Sequence, residues 1–442
     1  MIIPFRKVEL SSREAIDALL KDNDTPICDY CFANIFAWQP VYYTEWANVC
    51  GVLVVRFRLD DGGWGYMPVG KGDISVVVEA LKQDAAERNI RFRLVSFDSR
   101  YAGLFGPDYA VCDNLDYRDY IYSVEELCEL RGRKFQPKRN HINRFESNYN
   151  YTFNLLGPSD FDDCLALESL WQARKCATMG VTCSGEGGEQ CAIRRIFANY
   201  ESLDMLGGVL RVEGRIAAFV VGSRLTSDTF CVHFEKADID YEGVFPMINR
   251  QFALELAKRG YSYVNREEDM GLDGLRRAKQ SYHPVRLESK LGIALLAERE
   301  KQCRMLWHDV FGDDVEFIDS FLVEYYRPEN MLVIERDGRV ISMLYIVEMQ
   351  TDYGHTGYLY AIATCPEWRR KGFASELINR ALEISRERGF AAVMLIPSGD
   401  DVKRFYQNFG FEDVGYKLDF SEGFDFGTGD SALDLAMVKV LK

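Results

Sequence analysis

The residues best suited to chemistry lie in the run Arg369-Arg370-Lys371-Gly372-Phe373-Ala374. Three cations precede a glycine and a small residue. A helical apolar pattern follows at Leu377, Ile378, Ala381, Leu382 and Ile384, and Gly389 stops it. The first N–H groups of a helix have no partner within it. Together with the positive helix end they favour a phosphate or pyrophosphate, and Gly372 and Ala374 let it come close. Apolar runs at Tyr358–Ala363 and Ala391–Ile396 flank the stretch, so the pattern predicts strand, anion-binding turn, helix, strand. The plainer reading is a basic surface turn; the flanking elements favour the ligand site.

A second concentration spans Arg131 to Arg144, with six Lys or Arg, His141 and no acid, in a chain of net charge −15. It is either a solvated basic helix offsetting acids such as Glu125, Glu126 and Glu129, or a grip on phosphate in a cofactor or an RNA acceptor end. Its candidates are Lys138, Arg139, Asn140, His141, Asn143 and Arg144. His233 and Glu235 share one side of a strand, where His233 is a candidate base and Glu235 its holder. Arg266, Glu267, Glu268 and Asp269 follow a strand directly, where α/β sites gather. Lys279, Tyr282 and His283 form a further polar cluster. Before the strand at Tyr358, Glu348, Asp352 and His355 are candidate bases acting through water.

The elements that must position these groups repeat. Strand, Gly turn, strand, strand, helix, Gly stop, strand occurs around Glu213-Gly214 and Gly260, and again around Asp337-Gly338 and Gly389. A shorter form has its turn at Asp60–Gly63 and its helix ending near Arg88. This predicts three related α/β units, over residues 1–119, 120–300 and 301–442. The middle unit has Asp240-Tyr241-Glu242-Gly243-Val244-Phe245 at the position of the anion-binding turn. It lacks the leading Arg, and an acid there repels phosphate. The C-terminal unit keeps every element. Gly70-Lys71-Gly72 is too short for a nucleotide loop and reads as a helix-start turn.

Length and composition set the bounds. A chain of 442 residues with 47% hydrophobic and 13% aromatic content is expected to fold into two or three well-filled domains. The acidic balance argues against DNA binding, no stretch suits a membrane span, and MIIPFRKVEL lacks a secretory apolar core. A cytoplasmic protein is expected. Cys28 and Cys31 form the one C-x-x-C among twelve cysteines, without a histidine nearby in sequence. No metal site is expected, and Cys176, Cys183 and Cys191 are expected to be thiols.

Arg369-x-x-Gly372-x-Ala374, with Phe405-Tyr406-x-x-x-Gly410-Phe411 further on, resembles the GNAT N-acetyltransferase family over about residues 303–442. The resemblance implies that Arg369, Arg370, Lys371, Gly372, Phe373 and Ala374 hold the pyrophosphate of acetyl-CoA or a related acyl-CoA. It implies a splayed strand whose backbone at Tyr360, Ala361, Ile362 and Ala363 bonds the pantetheine arm. It implies that Tyr406 protonates the leaving thiolate; from its neighbours alone, Tyr406 packs against Phe409 and Phe411. Glu348 or His355 would deprotonate a small-molecule or peptide amine acceptor.

Gly132-Arg-Lys-x-x-x-Lys138-Arg139-Asn140-His141-x-Asn143-Arg144-Phe145, His233-Phe-Glu-Lys236, Asn265-Arg-Glu-Glu-Asp269-x-Gly271 and Lys279-x-Ser281-Tyr282-x-Pro284 resemble a bacterial family of uncharacterised proteins over residues 1–300. That family is similar to the soluble C-terminal domain of phosphatidylglycerol lysyltransferases, with paired acetyltransferase-like folds as in the Fem transferases. The fold expected is therefore α/β, with three GNAT-like (acyl-CoA N-acyltransferase) units, each a central mixed β-sheet flanked by helices. The function expected is acyl transfer from acyl-CoA to an amine in the C-terminal unit. The alternatives are aminoacyl-tRNA-dependent transfer, with tRNA as partner of the N-terminal pair, or ligand binding without turnover.

Overall fold

The computed structural model describes residues 2–179, 188–414 and 436–441, in two compact units. Unit one comprises residues 1–105 and 113–293; unit two comprises residues 106–112 and 294–442. The strands, in chain order, begin with Arg6–Lys7 (β1), Glu45–Val49 (β2), Val52–Arg58 (β3), Trp64–Val69 (β4), Arg93–Asp98 (β5), Tyr109–Cys112 (β6) and Asp119–Ser123 (β7). There follow Tyr151–Leu155 (β8), Leu206–Val212 (β9), Arg215–Arg224 (β10), Thr229–Ala237 (β11), Tyr263–Asn265 (β12), Arg286–Glu288 (β13) and Lys290–Leu295 (β14). The last are Met331–Arg336 (β15), Arg339–Thr351 (β16), Gly354–Thr364 (β17), Ala392–Leu395 (β18), Glu412–Asp413 (β19) and Met437–Val440 (β20).

In unit one, β1-β2-β3-β4-β5-β14 lie side by side in one sheet, and β13-β7-β12-β11-β10-β9-β8 in a second. β9, β10 and β11 are apolar almost throughout because both their faces are covered. On one face, Val209, Phe219, Val221 and Phe234 share a core with Leu53, Val55, Met67 and Val69 of the first sheet. The helices Phe32–Ala37 and Gly188–Ala198 add to that core. On the other face, Leu210, Val220, Phe230 and Val232 pack with Met247, Ile248, Phe252 and Leu256 of the helix Val244–Lys258. Successive strand residues point to opposite faces, which is why neighbours in sequence enter different cores.

Unit two is built on the order β15-β16-β17-β18-β20-β19. Met343, Tyr345 and Val347 face Trp307, Phe321 and Leu322 of two helices, Glu298–Phe311 and Val315–Glu324. Leu344, Ile346 and Leu359 face Leu377, Ile378, Ala381 and Leu382 of the helix Phe373–Glu387. That helix starts at Gly372, with φ 89°, and its stop Gly389 has φ 73°. Both are left-handed conformations that glycine adopts without strain. Among the described residues no helix is long and apolar enough to cross a membrane.

The expectation of three like units is corrected here. In unit two the parallel pair β17–β18 is continued by β20, which follows it in the chain. In unit one the parallel pair β11–β12 is continued by β7, which precedes the whole pattern, and then by β13. The first sheet draws β14 from far along the chain. Local spacing dictates turns and helices, whereas the strand that fills a sheet edge is a long-range choice. The expected thiols also need correction: Cys191 is free, Cys176 is disulfide-bonded, and Cys183 lies outside the described residues.

Gly243 and Gly372 each precede a helix at nearly the same φ, 90° and 89°. A Cβ on Gly243 would stand 2.4 Å from the His141 carbonyl oxygen, on the helix Gln136–Asn148; one on Gly372 meets nothing within 4 Å. Gly372→Ala should therefore cost only left-handed strain, ~1–2 kcal/mol. Gly243→Ala should cost about 2–4 kcal/mol, because a backbone carbonyl cannot step aside. Denaturant unfolding, with hydrogen exchange read in each unit, measures both. Equal costs would mean that the helix does not press on Gly243.

Candidate functional site

In unit two the site begins where β17 and β18 part. They pair over Thr356–Tyr358 and Ala392–Met394, with no further rung among the described residues. On the other side of β17 the register slips. Ala363 opposes Met343 and Tyr360 opposes Tyr345, so Ala361 and Ile362 together oppose Leu344. Ala361 takes φ 48°, a bulge that bends the strand just past the parting. The turn after β17 is exposed from Arg369 to Gly372. Arg369 donates to the Thr364 carbonyl at 3.2 Å, Arg370 is left-handed at φ 59°, and the Lys371 ammonium lies 4.4 Å from the Trp368 ring centroid.

Tyr406 sits on the helix Asp400–Gln407, edge-on to Phe405 and Phe411. Burial pushes its phenol up to about 12, so it stays protonated at neutral pH. It lies close enough to Tyr358 to raise that phenol as well. Glu348 and His355 are not brought there. His355 opposes Gln350 near the N-terminal start of β17, whereas the turn follows its C-terminal end. His355 Nε2 is 3.3 Å from Glu348 Oε2, and Arg388 donates to Glu348 Oε1 at 3.2 Å.

Unit one gathers its polar groups at a comparable parting. β11 and β12 share only the rungs Thr229–Tyr263, Phe230–Val264 and Cys231–Asn265. Beyond them β11 carries His233 and Glu235, while the chain after β12 turns through Arg266–Asp269. The buried Lys279 ammonium holds this turn by donating to the carbonyls of Arg266, of Glu267 at 3.1 Å and of Glu268 at 2.7 Å. Burial lowers the pKa of that ammonium, and Arg266 nearby adds to the effect.

His233 is not held by Glu235. Its Nδ1 lies 3.0 Å from Glu267 Oε1 and its Nε2 2.9 Å from Ser223 Oγ, with Cys31 Sγ at 3.9 Å. Glu235 accepts instead from Arg266 at 3.0 Å. Against β10, Phe234 opposes Val221 and Val232 opposes Gly222, so the bulged residue is His233 itself; a Cβ on Gly222 would stand 1.9 Å from the Cys231 carbonyl oxygen. Asp269 is a structural anchor. Burial works against its charge, but Arg276 at 2.8 and 3.0 Å and the Tyr120 hydroxyl hold it below the usual range.

Glu268 meets Lys290 at 2.8 Å, beside Asp119 at 2.9 Å and Cys28 Sγ at 3.5 Å from the same ammonium. Burial pushes Asp119 up to about 7. It opposes Glu268 too, yet Lys290 draws that carboxyl down to about 2.

Of the basic run, only Lys138 turns toward this region. Its ammonium lies 3.7 Å from the Tyr282 ring centroid, and Arg266 lies 4.9 Å from the same ring. Burial, with Arg266 nearby, lowers Lys138 to about 8. Arg133 is exposed, and four others engage acids or backbone. Arg131 pairs with Glu129 and Lys134 with Glu126, each at 2.8 Å, and Arg144 pairs with Glu242. Arg139 donates to Leu130 and, at 2.8 Å, Gly132 carbonyls; Asn140 accepts from Gln136, and His141 and Asn143 are exposed. His283 Nε2 lies 3.1 Å from the Lys134 carbonyl oxygen. Sequence reasoning missed Ser223, Cys231, Asp119 and Lys290. Cys231 alone carried a signal, since alternation puts it on the His233 face of β11.

Two family models match the chain. "Phosphatidylglycerol lysyltransferase, C-terminal" matches residues 23–291, and "Acetyltransferase (GNAT) domain" matches residues 294–414. A conserved protein of unknown function from Bacteroides thetaiotaomicron is 36% identical, with 67% of this chain and 100% of that chain covered, at a TM-score of 0.62. L-PGS from Bacillus licheniformis is 15% identical over 64% of this chain and 91% of that one, at 0.49. A GCN5-related N-acetyltransferase from Anabaena variabilis is 23% identical over 27% and 30%, at 0.24. Among curated proteins no match is found. These findings complete the correction of the fold: GNAT likeness is confined to the C-terminal third, and the two sheets of unit one take the fold of the first family. The chain belongs to the phosphatidylglycerol lysyltransferase C-terminal family, and carries a GNAT acetyltransferase domain in tandem behind that region.

Proposed function

We propose that unit two transfers an acetyl or other acyl group from acyl-CoA to an amine. The observation that carries this reading is the parting of β17 from β18 beyond Tyr358, directly before the exposed Gly372 helix start. Acyl-CoA would supply the activated carbonyl. Backbone groups at Tyr360–Ala363 are suited to the pantetheine arm. Helix N–H groups with Arg369, Arg370 and Lys371 are suited to the pyrophosphate. As the amine forms its bond to the carbonyl carbon, the C–S bond breaks and the sulfur takes a proton from Tyr406, which regains one from water. Glu348, ion-paired with Arg388, and His355 beside it are left as supports of the strand start, and the amine proton passes to water.

Titration calorimetry of the full chain with acetyl-CoA should give saturable heat below millimolar concentration. Gly372→Glu, which adds an acid and left-handed strain, should weaken binding at least about tenfold, ~1.4 kcal/mol. Tyr406→Phe should lower kcat by about 10²-fold or more with little change in KM. Absence of heat from a folded chain at millimolar acetyl-CoA would refute the reading.

A second reading concerns unit one. We infer that it transfers an aminoacyl group, as the lysyltransferase in its family's name suggests, and that an RNA ester supplies that group. The observation in favour is the inward turn of Lys138, which joins Arg266 over Tyr282 in a partly buried, net cationic group. Lys138 is depressed to about 8, so its charge is present at pH 7 and fades as pH rises through 8. Binding of tRNA acceptor-stem RNA should weaken with salt and on going from pH 7 to pH 9. Lys138→Arg should remove the pH dependence, and a Lys138/Arg139 double alanine variant should lose the binding. Unchanged RNA affinity in the double variant would leave the run a solvated face.

A further inference from the structure

We propose that Cys231, His233 and Glu267 form a binding site for a divalent cation of the zinc class. Their ligand atoms lie within 4.8 Å of one another. Glu267 Oε1 is 3.0 Å from His233 Nδ1 and 3.8 Å from Cys231 Sγ. Zinc bonds of about 2.0–2.3 Å in a tetrahedron set ligand atoms roughly 3.3–3.7 Å apart, so the two edges at Glu267 need only tenths of an ångström of adjustment, and the Cys231–His233 edge lies within 4.8 Å. Cysteine, histidine and carboxylate together suit zinc better than a hard cation.

The site is held in shape before any ion arrives. Cys231 and His233 alternate on β11 and so share a face. Glu267 is left-handed at φ 57°, its N–H donates to Asn265 Oδ1 at 2.6 Å, and Lys279 ties the carbonyls on both sides of it. Ser223 Oγ lies 2.9 Å from the far ring nitrogen, Nε2. A Nε2–H donating to Ser223 leaves Nδ1 as a lone pair, which is how histidine ligands are usually oriented. In that tautomer the Nδ1 lone pair, the carboxylate and the sulfur face a cation bound between them; without the ion, Nδ1–H donates to Glu267.

A comparison within the same unit sharpens the point. Cys28, Asp119 and Glu268 make a second such cluster, and there the Lys290 ammonium supplies the positive charge. Among the described residues, Glu267 lies 3.0 Å from His233 Nδ1 and forms no ion pair with a Lys or Arg side chain. The same groups could be taken for a Ser223–His233–Glu267 nucleophile relay, but the exposure runs the wrong way. Ser223 is 5% exposed at the closed end, whereas the Glu267 side chain is 23% exposed. Entry from the Glu267 side brings an ion to the three ligands and leaves the fourth position to water. Binding displaces the thiol proton of Cys231 to solvent, with no change of oxidation state.

The full chain, stripped with chelator and dialysed against zinc, should take up one equivalent by elemental mass spectrometry. With cobalt(II) in its place, a thiolate charge-transfer band should appear. Cys231→Ser should abolish that band, and Glu267→Gln should weaken binding about tenfold or more, with near-UV circular dichroism unchanged. Glu267→Gln alone decides the matter if Cys231→Ser does not fold. Folded wild-type protein that retains no zinc, unchanged affinity in Glu267→Gln, or a band that survives Cys231→Ser and disappears in Cys31→Ala would each overturn the assignment.

Discussion

One buried ammonium, that of Lys290, fixes the geometry on which unit one's polar groups depend. It sits on β14 of the first sheet and meets Asp119 of β7 and Glu268 of the turn after β12, both belonging to the second sheet. Asp119 also accepts from the Cys28 N–H at 2.6 Å and from Asn265 at 2.9 Å, and Asn265 donates to the Pro26 carbonyl at 2.7 Å. Three segments distant in sequence thus converge on one charge. Removing one partner of such a buried pair typically costs about 3–5 kcal/mol, because the carboxylates left behind remain desolvated. The flanking residues Arg266 and Glu267 sit in a turn that Lys279 holds through its carbonyls and Lys290 holds through Glu268. The His233 and Glu235 contacts therefore rest on a residue that touches neither.

That dependence explains what could be read from the sequence. In unit two the deciding features are local. Cations, glycine and small residue stand together before an apolar helix, and the structure has Gly372 and Gly389 at its ends. The bulge at Ala361 has no sequence signal, since it arises from register against β16. In unit one the equivalent information is long-range. His233 finds Ser223 of the neighbouring strand from a bulge at its own position, and Glu267 through a turn on the other side. Nearness in sequence favoured Glu235, but that carboxylate is claimed by Arg266. The order of turns and helices was legible in all three stretches, while the strands that complete each sheet were not, and the inference of three like units failed on that.

The basic run shows a second limit of the same kind. Its composition was correctly conspicuous, yet charge content says nothing about direction. Arg131, Lys134 and Arg144 lie outside and meet Glu129, Glu126 and Glu242, as a solvated face would. Surface pairs of this type contribute little to stability. Lys138 differs only in falling on the side of the helix Gln136–Asn148 that meets Tyr282, and burial changes its character by lowering its pKa.

The two helix starts, at Gly372 and Gly243, show why the units must work differently. Each has a left-handed glycine, which aims the first helix N–H groups forward. Before Gly372 the space is open, and cations precede it in the chain. Before Gly243 the His141 carbonyl closes in, and the acid in the preceding position, Glu242, is neutralised by Arg144 from the same helix. The same local geometry thus stands open in unit two and packs against a helix in unit one. Polar chemistry in unit one is left to the point where β11 and β12 part, supplied by side chains rather than by a helix end.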